Sequence, residues 1–100
     1  MLKKDIIELS ILQLLSSTDM YGYEILQHLS MFFPHMQESA LYILLRGLAR
    51  EGYAQCYEGD VSEGPVRKYY RITQSGNEKR NKLTQDWREL RNAIVALGIE

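Results

Sequence analysis

QESALYILLRGLAREGY, residues 37–53, is the stretch from which the rest of the chain is interpreted. Its leucines recur at i, i+3, i+4 and i+7, a spacing that gathers them into one apolar stripe of a helix packed on a core. The stripe contains Leu41, Leu44, Leu45 and Leu48. The opposite face contains Ser39, Ile43, Arg46 and Arg50, with Tyr42 beside them. A front of hydroxyl, aromatic and cationic groups suits the major groove of DNA.

Two predicted helices precede this stretch. Asp5 can cap the first, which we expect over residues 5–17. Its apolar residues lie almost all round, so one side must pack on its own domain and the other on a second apolar surface. A turn at residues 17–19 leads into a second helix over residues 21–33, which Pro34 ends. Two helices, a tight turn and the polar-fronted third helix predict a helix-turn-helix.

The pattern changes after Gly52, which can adopt the left-handed conformation that ends a helix. Residues 53–57 and 66–73 are predicted strands, and the second is β-branched and aromatic with period-two alternation. A glycine-rich turn at residues 58–65 joins them into a hairpin. We interpret this hairpin as a wing with a basic returning strand. Asp60 and Glu63 make its tip acidic, which disfavours deep insertion into a minor groove.

A long last helix completes the pattern. Thr73 is a good N-cap for a helix from about Gln74 to Leu97. A heptad seam with spacings of 4, 3, 4 and 3 is formed by Leu83, Trp87, Leu90, Ile94 and Leu97. Such a helix spans roughly 35 Å, longer than a domain of this size covers. The seam and the over-apolar first helix therefore favour a twofold homodimer.

These elements predict a mainly α fold with a small β-hairpin, of the α+β class. We expect a winged helix-turn-helix DNA-binding domain over residues 1–73 and a C-terminal dimerisation helix over residues 74–100, together forming one compact domain. The net charge of −1 argues against a protein that coats nucleic acid through bulk positive charge. Any DNA binding must therefore use a local basic patch.

The composition also limits the compartment and the chemistry. With Cys56 as the single cysteine, no intramolecular disulfide can form, and a cytoplasmic setting fits best. There is no signal-peptide pattern and no run approaching a membrane span. His28 and His35 lack the spacing and companions of a metal site. No catalytic constellation or phosphate loop is found, so we predict no enzyme activity and no cofactor. A protein-interaction module without DNA binding remains the alternative.

Three tracts carry a resemblance to a known family. YGYEI at residues 21–25, LYILLRGLAREGY at 41–53 and GPVRKYYRITQSG at 64–76 resemble the PadR family of bacterial transcriptional regulators. The resemblance covers nearly the whole chain and implies a homodimeric repressor on a pseudo-palindromic operator. The short last helix is similar to the compact branch of the family, which includes multidrug sensors. In those sensors a tryptophan lines a pore at the dimer interface, and Trp87 falls at the matching place.

The site residues follow from these interpretations. On the DNA-reading face we place Ser39, Tyr42, Ile43 and Arg46. Contacts with the DNA backbone or the edge of the minor groove are assigned to Arg50, Arg67, Lys68 and Tyr69. The seam residues would form the dimer interface. A small planar aromatic effector would meet Trp87, surrounded by Asp5, Glu8, Leu9, Leu12 and Arg91.

Plainer interpretations stand beside these. Tyr42 could be a partly buried core residue, because tyrosine is intermediate in burial. The arginines of the third helix could form a solvated face, and the basic residues of the wing could protect a sheet edge from aggregation. Trp87 obeys the heptad and could be a dimer anchor rather than a ligand platform.

Overall fold

Four helices and a small antiparallel sheet make up the computed structural model, which describes residues 2–59, 64 and 66–100. In chain order the elements are α1 Leu2–Ser17, β1 Met20–Tyr21, α2 Gly22–Ser30, α3 Glu38–Arg50, β2 Ala54–Gly59, β3 Arg67–Ile72 and α4 Gln74–Ala96. The sheet order is β1-β3-β2. The predicted α+β class is therefore confirmed. Most of the predicted acidic turn, including Asp60 and Glu63, lies outside the described residues.

The wing has a third strand, β1, that the sequence pattern does not predict. Met20 pairs with Tyr70 and Tyr21 pairs with Tyr69, so β1 lies on the free edge of β3. We had predicted a helix from residue 21. A strand of two residues is too short to show a period, and its pairing partner lies about fifty positions further along the chain. Met20 is buried and anchors this strand in the core.

Several helix ends differ from the prediction. Asp5 lies inside α1 instead of capping it, because the helix already begins at Leu2. The predicted second helix reached residue 33, whereas α2 ends at Ser30. After α2 the chain continues in tight turns, in which the amides of Phe32 and Phe33 donate to Leu29 O at 3.0 and 2.8 Å. These turns satisfy a carbonyl at the end of α2 and lead the chain to Pro34, four residues beyond the end of the helix.

The leucine stripe of α3 packs into the core as predicted. Leu41, Leu45 and Leu48 are buried, while Leu44 is half-buried. The rest of the buried core comes from every other element: Ile7, Ile11, Leu12, Leu15, Met20, Ile25, Leu29, Ala54, Tyr70 and Leu83. Gly52 follows α3 with φ of 83°, the left-handed conformation predicted for it. The outer face of α3 is thereby left free for contacts outside the chain.

The end of α3 is joined directly to the start of α4. Thr73 caps α4, because its Oγ1 accepts a hydrogen bond from the amide of Gly76 at 3.0 Å. The hydroxyls of Thr73 and Ser75 both donate to the carbonyl oxygen of Gly52, at 2.6 and 2.8 Å. One carbonyl just after α3 therefore holds the first turn of α4.

Helix α4 runs antiparallel to α1. Arg80 Nη1 donates to Gln13 Oε1 at 3.2 Å, and seven residues later Trp87 borders the same cleft as Leu9. This register carries the end of α4 past the start of α1, and the described chain measures 53 × 29 × 21 Å. Three apolar side chains are exposed near that end: Val95, Leu97 and Ile99. Among the described residues, no helix combines the length and apolar character that crossing a membrane requires.

Candidate nucleic-acid interface

The predicted reading residues meet in a shallow groove on the outer face of α3. The groove has a volume of about 510 Å³ and is lined by Glu38, Ser39, Tyr42, Ile43 and Arg46. Ile43 is 60% exposed although it is one of the most apolar residues of the helix. The structure therefore brings all four predicted residues together. Glu38, which was not among the predicted reading residues, lines the same groove.

A second groove lies between α3 and the wing. It has a volume of about 490 Å³. Tyr42 and Arg46 line it from the helix, and Arg67 and Lys68 line it from β3. Three arginine or lysine cations and a phenol thus converge from parts of the chain that are far apart in sequence. Such a local concentration of positive charge can bind the phosphates of a DNA backbone. The near-neutral net charge of the whole chain gives no sign of it.

Three further residues line the groove from the start of α2 and from β1: Tyr21, Gly22 and Tyr23. The sequence pattern placed all three in the predicted helix over residues 21–33 and assigned them no contact with DNA. Only their place in the family tract YGYEI distinguished them. Cys56 also borders the groove, with its thiol exposed.

Tyr42 is half-buried, as one of the two interpretations of the sequence predicted, and its contact with DNA stays a prediction. One side of its ring packs against the core, and its other side lines the two grooves. Burial raises the pKa of its hydroxyl, and the nearby Glu38 and Tyr23 raise that pKa further. The phenol is therefore neutral at physiological pH and can donate a hydrogen bond.

Tyr69 occupies a different place from the other predicted DNA contacts. Its ring lies 5.6 Å from that of Tyr21 in an edge-on arrangement and 5.8 Å from that of Tyr57 in a stacked one. The guanidinium of Arg67 lies over the Tyr21 ring at 4.6 Å. Tyr69 is thus the centre of an aromatic row on the outer face of the sheet, which stiffens the wing. It does not line the groove between α3 and the wing.

The base of the wing is tied to the turn after α1 by Asp19. Its carboxylate accepts hydrogen bonds from the hydroxyl of Tyr57 and from Arg71 Nε, the latter at 3.1 Å. The hydrogen bond to Asp19 raises the pKa of Tyr57. The Arg71 guanidinium also stacks over the Tyr57 ring at 4.8 Å. These contacts fix the orientation of β2 and β3 relative to the helices.

Arg50 lies apart from Arg46. Its Nε is 3.9 Å from the Glu51 carboxylate, and it borders a cleft on the α4 side that Lys79 also lines. Lys79 Nζ lies 5.2 Å from the centre of the Tyr53 ring. Arg50 and Lys79 therefore lie outside the groove between α3 and the wing, in a cleft that Asp5, Glu8 and Glu51 also line.

A separate cleft of about 240 Å³ lies between α1 and α4. Trp87, 40% exposed, lines it together with Asp5, Ile6, Leu9, Leu83, Asp86 and Leu90. Of the predicted effector contacts, the structure places Trp87, Asp5 and Leu9 at this cleft. Ile6 and Asp86 were missed, because each is one residue away from a position that the helical spacing marked.

The other three predicted effector contacts do not line the cleft. Leu12 is fully buried in the core, so no guest can reach it in this chain. Glu8 lies in the cleft on the other side of α1, where its carboxylate is 3.7 Å from Lys4 Nζ. Arg91 is exposed, one turn of α4 beyond Trp87, and does not line the cleft. No group of three potential metal ligands is found in the part of the chain that the structure describes.

The seam residues differ in how much surface they leave for a second chain. Leu83 is only 7% exposed, because α1 already covers it. Leu90 and Ile94 are half-buried, and Leu97 is 77% exposed. The uncovered apolar surface therefore increases toward the end of α4.

Comparisons with known proteins find the same fold in other chains. An uncharacterized protein of Lysinibacillus sphaericus is 38% identical over 87 residues, which cover 84% of this chain and 80% of that protein. A PadR-like transcriptional regulator of Bacillus cereus has a similar structure, with a TM-score of 0.83 and 31% identity over 92% of this chain and 90% of the other.

Two further structures extend the comparison. A Streptococcus mutans protein matches with a TM-score of 0.86 and 34% identity, over 94% of this chain and 87% of the other. Bacillus subtilis PadR, solved in complex with operator DNA, shares the fold with a TM-score of 0.64 and 23% identity, over 77% of this chain and 45% of that one. The sequence profile of the transcriptional regulator PadR-like family matches residues 11–82. The chain belongs to the PadR-like family of transcriptional regulators.

Proposed function

We propose that this protein is a sequence-specific DNA-binding repressor that acts in the bacterial cytoplasm. The observation that carries the proposal is the groove between α3 and the wing, where Tyr42, Arg46, Arg67 and Lys68 converge. The structure of Bacillus subtilis PadR with operator DNA supports a DNA-binding role for this fold. Residues 1–73 would form the DNA-binding part, and residues 74–100 the dimerisation helix.

In this proposal the outer face of α3 enters the major groove. Ser39, Tyr42, Ile43 and Arg46 would read base edges, with the exposed Ile43 against a thymine methyl group. Arg67 and Lys68 would hold the phosphate backbone on the wing side, and Arg50 on the opposite side. Phosphate contacts set the register and base contacts set the sequence. Tyr69 would act by stiffening the wing.

A homodimer is proposed from the exposed apolar end of α4. Leu97 is exposed and Leu90 and Ile94 are half-buried, so one chain leaves part of this stripe uncovered. Burying it against a second copy would remove apolar surface from water at about 25 cal/mol per Å². A twofold axis would then place two α3 helices in successive major grooves, and the operator would be a pseudo-palindrome.

The test begins with selection of duplexes from a randomised pool by the wild-type protein. An inverted repeat among the enriched sequences is the expected result, together with steep loss of random-duplex binding as salt rises. Arg88→Ala is the matched control for the Arg46→Ala variant, since Arg88 is an exposed arginine of α4 away from both grooves. A protein that binds no duplex even at low salt would be a protein-interaction module instead, and the proposal would fail.

A small aromatic effector is proposed to bind at the cleft between α1 and α4. The indole of Trp87 offers a stacking surface, and the carboxylates of Asp5 and Asp86 at the same cleft favour a planar cation. A guest that fits only one arrangement of the dimer would shift it toward or away from the DNA-competent state. Release from the operator would follow from that shift.

Trp87 is the only tryptophan, so its fluorescence reports on this cleft alone. Planar cationic compounds should quench this fluorescence. The double variant Asp5→Asn, Asp86→Asn should weaken the binding of cations more than the binding of neutral phenols. Trp87→Ala should abolish binding while DNA affinity stays near wild type. If no compound in the panel changes the emission, Trp87 is a packing anchor and the effector proposal falls, whereas the DNA proposal stands.

A further inference from the structure

The ring of Tyr42 rests directly on the main chain of α2. Gly22 is the first residue of α2 and is buried. A Cβ at this position would lie 2.5 Å from Tyr42 Cε1 and 3.3 Å from both Cζ and Oη. Carbon atoms without a bond between them pack at about 3.5 to 4.0 Å, so the ring and a side chain cannot share this space. Only glycine leaves room for the ring in its present position.

Two interactions of the preceding residue hold the main chain at Gly22, which we call the seat of the Tyr42 ring. The preceding residue, Tyr21, pairs with Tyr69 in the sheet, which connects the seat to the wing. The amide of Tyr21 also donates to Glu24 Oε1 at 3.2 Å, which fixes the first turn of α2. The main chain at Gly22 is therefore a rigid surface, and the Tyr42 ring is the part that can move.

The Tyr42 ring can be displaced toward one side only. Leu41 and Leu45 hold the backbone of α3 in the core on either side of Tyr42. The open side of the ring borders the groove between α3 and the wing. A side chain at position 22 would therefore drive the ring into that groove, without requiring the helix to move. Gly22 does not have a positive φ, so an alanine there meets no backbone strain of its own.

We propose that Gly22 is a positioning residue for DNA recognition: it seats the Tyr42 ring against α2 and thereby sets where the phenol stands on the reading face. This inference rests on the proposed function, because it assigns Gly22 to the same DNA-binding surface. Gly22 itself need not touch DNA. Its effect passes through the ring of Tyr42. The main chain at Gly22 is also connected to the wing, because β1 directly precedes it.

The experiment measures three variants, Gly22→Ala, Tyr42→Ala and the double variant, on the duplex that the wild type enriches from a randomised pool. Gly22→Ala should lose about tenfold in affinity for that duplex, the size of one lost base contact, and less than about twofold for random duplex. Tyr42→Ala should lose a similar factor. In the double variant the two losses should not multiply, because both remove the same contact.

Thermal unfolding gives an independent reading of the seat. Gly22→Ala should lower the melting temperature when Tyr42 is present. In the Tyr42→Ala background the same change should leave the melting temperature equal or higher, because alanine is a better helix residue than glycine. If Gly22→Ala does not fold, folding of the double variant supports the seat, and failure of the double variant to fold overturns it.

Gly47→Ala is the matched control on α3. A Cβ at Gly47 would meet only Arg50 Nη2, at an ordinary 3.7 Å. This variant should therefore not lower the melting temperature. Arg88→Ala, on α4 and away from both grooves, should keep the affinity for both duplexes. The inference is overturned if Gly22→Ala binds the selected duplex as the wild type does, or if its loss of affinity is the same with Tyr42 removed. A wild type that enriches no duplex would instead sink the proposed function, while the melting comparison would still decide whether the seat exists.

Discussion

Ile43 on α3 and Leu97 at the end of α4 are both well exposed, at 60% and 77%, but their surroundings differ. Ile43 shares its groove with Ser39, Arg46 and the phenol of Tyr42. Leu97 stands near Val95 and Ile99, which are exposed and apolar. An isolated apolar group among polar ones fits a surface that is itself polar, such as the edges of bases. Several exposed apolar side chains in one short stretch favour burial against another apolar surface. The comparison therefore assigns different partners to the two ends of the molecule.

The largest effect is expected at the α4 end. Leu90→Asp would place an unpaired charge in the proposed apolar interface, at a cost of several kcal/mol. The dimer should dissociate, and affinity for the selected inverted repeat should fall with it. Light scattering gives the mass and a binding titration gives the affinity. Asn92→Asp, at an exposed position off the seam, should leave both unchanged. If the wild type is monomeric at micromolar concentration, the proposed dimer interface at the end of α4 is wrong.

A smaller but more selective effect is expected on α3. Arg46→Ala should cost about 1 to 3 kcal/mol on the selected duplex and little on random duplex, because a base contact carries sequence information. Competition titrations with the two duplexes measure the difference. Equal losses on both would make Arg46 a backbone contact. The reading role would then rest on Ser39, Tyr42 and Ile43.

The wing should respond differently from α3. Lys68→Ala should weaken binding to selected and random duplex alike, and it should reduce the slope of log affinity against log salt by about one unit. A series of titrations at increasing salt gives the slope. Lys82→Ala on α4 is the comparison variant, since Lys82 pairs with Asp86 on the same helix at 3.2 Å and should not change the slope. An unchanged slope for Lys68→Ala would separate the wing from the phosphate backbone.

The smallest effect is expected at the base of the wing. Asp19→Asn removes the charge from an exposed pair with Arg71, which is worth less than about 1 kcal/mol. The pKa of Tyr57 should fall toward its ordinary value, because the hydrogen bond to Asp19 is what chiefly raises it. In the wild type that bond stabilises the fold below the ordinary tyrosine pKa, and this contribution is lost as pH rises through the raised pKa.

Absorbance titration of the tyrosines and unfolding at alkaline pH would measure this change. The variant should show a flatter decline of stability above the ordinary tyrosine pKa. An identical decline in both proteins would mean that the loss comes from the other tyrosines with raised pKa values, Tyr42 and Tyr70.

The sequence predicted best what depends on local periodicity. The buried stripe of α3, the left-handed Gly52 and the cap at Thr73 each follow from neighbours a few residues away, and all three are confirmed. The strand β1 and the contact between Gly22 and Tyr42 depend on residues that are distant in sequence. No window of neighbouring residues carries that information.

The site shows the same division. The spacing on α3 was enough to group Ser39, Tyr42, Ile43 and Arg46, because one helix face holds them all. The same helical spacing marked Leu12 for an effector cleft although the core encloses it completely. Helical spacing gives the direction of a side chain around its own axis. It does not give which neighbouring element covers that direction.

The two hydroxyls that donate to the Gly52 carbonyl have a mechanical consequence. Through Thr73 and Ser75, this oxygen links the end of α3 to the start of α4. Along the chain, the two helices are connected only through the wing strands. The amide of Thr73 also donates to the Tyr53 carbonyl oxygen at 3.2 Å, so two successive carbonyls after α3 hold the start of α4. A shift of the start of α4 is therefore expected to displace the end of α3 with it.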